Sequence, residues 1–106
     1  MENAATLQVG DVVTVHATGS VAQTKKKFWR TKAPGQKAFT YTAGGGVIVG
    51  WDKGALGMRK GEVRTLSIPS EEGYGTSGFP AWGIAPNGDL IFELEVLQIT
   101  RNSNEL

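Results

Sequence analysis

The 106-residue chain contains no cysteine. That removes disulfide staples, thiol nucleophiles and cysteine-ligated metals from consideration. Histidine is nearly as scarce, with only His16. A single imidazole on a strand pattern, with no serine at an interpretable motif spacing, reads more simply as structural or solvated than as a catalytic base. No run approaches the roughly 20 apolar residues of a membrane span. The opening "MENAATLQVGD" lacks the basic and apolar regions of a secretory leader. A soluble, cytoplasmic protein is expected, with no membrane partner. Charge of one sign is missing too: 11 basic against 10 acidic side chains leave a net +1. That sets up no strong field to draw nucleic acid or an anionic surface.

What is present is alternation and glycine. Residues 11–21, "DVVTVHATGSV", place Val13, Val15 and Ala17 on one side and Val12, Thr14 and His16 on the other, the period of a half-buried strand. "AFTYT", "EVRTLSIP" and "DLIFELEVLQI" read likewise. In the last of these, Leu90, Phe92, Leu94 and Val96 share a face opposite Glu93 and Glu95. "AQTKKKFWRTKAPGQK" reads as a charged loop turning at Pro34 and Gly35.

One short helix is expected from Trp51, since Trp51, Ala55 and Met58 fall at i, i+4 and i+7. Asp52 would sit in its first turn, Arg59 and Lys60 in its last, and Gly61 at its C-cap. One helix cannot cover both faces of a sheet. The fold class is therefore α+β: a curled antiparallel β-sheet of four to five strands wrapped around one short α-helix. A short N-terminal segment (1–9) and a frayed C-terminal tail (100–106) flank a single domain over 10–99.

The stretch from Ser70 to Asp89 has no predicted element, yet it carries Tyr74, Phe79, Trp82 and Ile84. Turn-rich segments are usually polar. These side chains either fold back on the core or wall a pocket for an apolar ligand. Conventional catalysis has little to work with. Glu71 with Glu72, and Glu93 with Glu95, read as solvated carboxylates. No metal-ligand cluster is present, no cofactor is implied, and "GGG" at 44–46 lacks the remainder of a phosphate-binding loop. "KKKFWR" interleaves cations and aromatics as single-strand nucleic-acid binders do, but near-zero net charge favours a solvated loop. What remains is an aromatic and branched apolar set beside glycines, the usual makings of a small-ligand site.

The motifs "VHATG", "VIVGW", "GYG" and "LIFELEVL", in this order from about Gly10 to Ile99, closely resemble the FKBP-type peptidyl-prolyl cis-trans isomerases. These are the immunophilins that bind tacrolimus and rapamycin. The resemblance implies an isomerase (rotamase) acting on proline-containing peptides or proteins, as a monomer, with no metal. It makes Trp51 the pocket floor, and Val47 and Ile48 one side, the Ile48 N–H bonding a ligand carbonyl. Tyr74 would donate its hydroxyl to a substrate carbonyl. Phe28, Phe39, Ile84 and Phe92 would complete the walls, with Phe79 and Trp82 in the overhanging loop.

Three polar residues of the family pattern are missing, one of them an arginine with no clear counterpart in the loop "TKAPGQK". Ala17 stands where the family has tyrosine, and Trp29 where it has aspartate. The expectation is that Trp29 fills the vacated space, reshaping the pocket and weakening macrolide binding. The family's short strand before Gly10 is expected to be lost or replaced. The alternative function on the same fold is a non-enzymatic module binding proline-containing segments or a partner protein.

Overall fold

The computed structural model describes residues 6–101. Five strands and one helix follow in the order β1 (Val12–Val21), β2 (Lys27–Arg30), β3 (Phe39–Thr42), α1 (Val49–Ala55), β4 (Val63–Ile68) and β5 (Leu90–Thr100). The strict alternation of β1 is realised, with Val13, Val15, Ala17 and Val21 buried and the residues between them half-exposed. β5 buries Leu90, Phe92, Leu94 and Val96 to 1% exposure or less, which makes it the spine of the core. The two strands pair antiparallel from Val12↔Thr100 to Val21↔Leu90, with one bulge after Thr14. β4 lies along the other edge of β5.

β3 and β2 share the remaining edge of β1 end to end. β3 lies opposite Val12–Val15 and β2 opposite Thr18–Ser20. β2 falls inside the segment read as a charged loop, so that reading is corrected. Trp29 pairs with Gly19 and Lys27 with Ser20, which leaves Phe28 as the extra residue of a bulge. A bulge breaks the alternation of sides. Phe28 and Trp29 accordingly both pack on the core, although they are neighbours in sequence. Neither ring is displayed as a stacking platform, so the nucleic-acid reading of "KKKFWR" loses its basis.

The helix is shorter than expected. It ends at Ala55, Leu56 is already extended, and Met58, Arg59 and Lys60 lie in the turn beyond. Its own last-turn cation, Lys53, pairs with Glu72, and the end carbonyls are met from β4: Arg64 donates from Nη1 to the carbonyls of Gly54 (3.0 Å) and Leu56 (3.1 Å). Unpaired carbonyls at a helix end take such a partner readily. Gly50 and Gly54 form the face of α1 that meets β4. A Cβ on Gly50 would lie 2.5 Å from Ile68 Cγ2, and one on Gly54 2.7 Å from Leu66 Cδ2. The two glycines weaken the helix in isolation and let it sit directly on the sheet.

The segment before Gly10 is tied in. Leu7 is buried, its N–H donates to Met58 O (2.8 Å), and its carbonyl accepts from Gly57 N–H (2.9 Å). At the other end, Thr100 is still in β5, and Arg101 grips the buried Asp11 with Nε and Nη2 at 3.0 and 2.9 Å. Those two residues were expected in a frayed tail; the rest of that tail, 102–106, lies outside the described residues. Among the described residues, no helix is long and apolar enough to cross a membrane.

Candidate active site

Trp51 points from α1 into the space enclosed by the sheet and is 4% exposed. Rings from three strands crowd it: Phe92 at 5.0 Å between centroids, Phe39 at 5.6 Å and Trp29 at 5.9 Å. Above this indole opens a cleft of about 700 Å³, within the range of small-ligand sites. Its lining is mostly apolar: Trp29, Ala38, Phe39, Val47, Ile48, Trp51, Tyr74, Trp82 and Phe92. Gly35, Gln36, Lys37 and Gly46 complete it.

The segment after β4 overhangs the cleft and is well tied. Single 3-10 turns at Ser70–Glu72 and Pro80–Trp82 shape it. Phe79 and Ile84 exchange backbone hydrogen bonds at 2.8 and 3.2 Å, and Asn87 N–H donates to Gly75 O at 2.9 Å. Asp89 closes the base by accepting Ser70 N–H at 2.9 Å. Ile84, 1% exposed, anchors the loop in the core. Tyr74 stacks on Phe79 (5.3 Å, 13°) and Phe79 meets Trp82 edge-on (5.0 Å). Burial pushes the Tyr74 phenol up from its usual pKa, which keeps its proton available as a donor.

Polar groups near the floor are few. Tyr41 Oη and Trp51 Nε1 are buried side-chain atoms with no hydrogen-bond partner among the described residues. The rings meet edge-on at 5.5 Å. Burial drives the Tyr41 pKa up to about 12, partly offset by the nearby Trp51 N–H. That contact falls outside normal hydrogen-bond geometry, so it is a dipole facing a hydroxyl and not a formed bond. Among the described residues, no group of three or more His, Cys, Asp or Glu could hold a metal ion.

The resemblance read from the motifs has an independent check. A model of the FKBP-type peptidyl-prolyl cis-trans isomerase family matches residues 3–97. The chain belongs to that family. It is 53% identical over 92 residues to the peptidyl-prolyl cis-trans isomerase FKBP12 of Vicia faba, covering 84% of this chain and 82% of that one. The FKBP12 of Arabidopsis thaliana is 52% identical over 93 residues, with 85% and 83% covered. Among solved structures, FkpA from Escherichia coli superposes with a TM-score of 0.82 at 31% identity, over 93% of this chain and 44% of that one.

In this FKBP-type domain, Trp29, Phe39, Val47, Ile48, Trp51, Tyr74, Trp82 and Phe92 are brought together around the cleft. Phe28, Phe79 and Ile84 stand behind it. Phe28 stacks on Trp82 (5.5 Å) and meets Phe92 edge-on (5.8 Å), backing the wall. Trp29 turns inward, spanning from the floor to the rim, where its indole lies 6.2 Å from Trp82 at 17°. Ala17 is buried, and the Thr31 hydroxyl accepts its N–H at 2.8 Å.

Sequence reasoning missed Thr31, and it missed the cleft edge formed by Gly35–Ala38. Nothing in "APGQKA" signals a wall, because a loop contributes its backbone wherever the flanking strands place it. Outside the cleft, a polar hollow of about 400 Å³ lies on the outer sheet face among His16, Arg30, Lys32, Glu93 and Glu95. There His16 Nδ1 is 2.9 Å from the Thr31 hydroxyl.

Proposed function

We propose that the chain catalyses rotation about Xaa–Pro bonds, with the proline ring seated on Trp51 and the flanking peptide held by Tyr74 and Ile48. The observation that carries this reading is the aromatic, mostly apolar cleft over Trp51 with the Tyr74 phenol among its lining residues. The Ile48 N–H supports it as well, since it makes no hydrogen bond among the described residues. Rotation breaks no covalent bond. It needs only the loss of amide resonance, over a barrier of about 18–20 kcal/mol, which takes about 10–100 s uncatalysed.

A planar amide is more charge-separated than a twisted one, so water stabilises the ground state more than the transition state. Transfer into an apolar cleft narrows that difference and favours the twisted form. The Tyr74 O–H and the Ile48 N–H each donate to a carbonyl of the bound segment, holding it while the bond turns. Trp51, Phe39 and Phe92 exclude water from the proline ring. No acid or base is required. The same cleft is the place for tacrolimus or rapamycin, with the affinity lowered by the indole of Trp29 lying across it.

The test is catalysed cis/trans isomerisation of a short Xaa–Pro peptide by wild type and Tyr74→Phe. Wild type is expected to accelerate the exchange. The variant is expected to lose roughly 2- to 10-fold in kcat/KM, the worth of one hydrogen bond. A folded wild type that binds the peptide without accelerating its exchange would identify a proline-binding module instead.

A further inference from the structure

Most of the cleft wall is apolar, and its charged edge is Gly35–Ala38, in the turn between β2 and β3: Lys37 is the only Lys, Arg, Asp or Glu among the described lining residues. Tyr74, the other titratable group there, is a neutral phenol at ordinary pH, and burial raises its pKa further. Lys37 is exposed and makes no ion pair among the described residues. Two carboxylates on neighbouring elements are engaged elsewhere: Asp52 accepts Gly44 N–H at 2.9 Å, and Glu72 pairs with Lys53 at 2.7 Å; Glu71, beside Glu72, is exposed. Low-dielectric walls of aromatic rings concentrate the field of such a charge over the cleft mouth.

From this geometry we infer that Lys37 makes the site select Xaa–Pro segments that carry a carboxylate within a residue or two of the proline. The inference rests on the isomerase reading of the cleft. Gln36 beside it adds amide donors to the same edge, so an acidic side chain leaving the apolar floor meets there the one lining residue that carries a positive charge. A basic side chain there meets only a like charge.

The experiment uses peptides of one length with a common Xaa–Pro core, carrying Glu, Gln or Lys at positions one or two residues from the core. Wild type, Lys37→Ala and Lys37→Glu are compared by the ratio of kcat/KM between peptides. Wild type is expected to favour Glu over Gln by roughly two- to five-fold at low salt, the range of an exposed ion pair, and to place Lys last. At about 1 M salt, where charges are screened beyond roughly 3 Å, the ratios should approach unity. Lys37→Ala should flatten the order and Lys37→Glu should invert it. An unchanged order in Lys37→Glu, or no order in wild type, overturns the inference. Equilibrium binding of the same peptides, read from indole fluorescence, separates the two claims. A Glu preference in binding with no catalysed exchange would sink the isomerase reading and leave the charge selection standing.

Discussion

At the scale of single residues, the Tyr41 hydroxyl and the Trp51 indole N–H are buried polar atoms beneath the cleft with no partner among the described residues. Burying a phenol without a bond penalises its ionised form far more than its neutral one. The folded Tyr41 therefore keeps its proton to about pH 12, where an unfolded tyrosine loses it near pH 10. Between these values the folded state binds more protons than the unfolded state. Stability is then full below pH 10 and falls as pH rises towards 12, by about 2–3 kcal/mol. In Tyr41→Phe that part of the alkaline decline should vanish, while stability at pH 7 moves by less than about 1 kcal/mol. Thermal midpoints of both proteins from pH 9 to 12 check this. Equal alkaline slopes would show that the hydroxyl is solvated.

At the scale of elements, α1 survives because it is pressed onto β4. Seven residues with two glycines are too few to hold a helix in water. Gly50→Ala would raise intrinsic helix propensity by about 1 kcal/mol. It also drives a methyl to 2.5 Å from Ile68 Cγ2, on a β-branched side chain packed in the core. Overpacking of that kind costs about 1–3 kcal/mol, so the contact outweighs the propensity and a net loss of up to about 2 kcal/mol is expected in denaturant unfolding. A stabilised variant would mean that α1 can slide along β4.

The same element shows where legibility stopped. β1 and β5 were readable because β1 is buried on one face along its whole length and β5 from Leu90 to Val96, which prints a period of two. β2 was not, because the bulge at Phe28 turns two consecutive aromatics inward and erases that period within a four-residue strand. The end of α1 was overextended because Met58 is fully buried at helical spacing yet reaches the core from a turn. The cation serving that end belongs to another element, Arg64, which lies beyond the reach of any local pattern. The aromatic rim was legible as an anomaly of composition, whereas the Gly35–Ala38 edge carried no signal.

At the scale of the whole molecule, the two ends of the domain are clamped together. The Asp11 side chain is 4% exposed, and Arg101, from the far end of the sequence, supplies two of its hydrogen bonds; Gln8 N–H supplies another. Arg101→Ala would leave a buried carboxylate with a single donor. A loss of about 1.5–3 kcal/mol is expected, the worth of hydrogen bonds to a charged group. Loss of urea midpoint with activity retained at 25 °C is the signature, since the clamp lies away from the cleft. An unchanged midpoint would mean that water replaces the guanidinium.

The pairing of β1 with β5 carries a consequence for the chain as it is made. β5 begins only at Leu90, while β1 is complete at Val21. A ribosome adding about 5–20 residues per second emits the first strand several seconds before its main partner exists. Throughout that interval the valine face of β1 has no lasting cover, so a nascent chain is at its stickiest just before the last strand emerges.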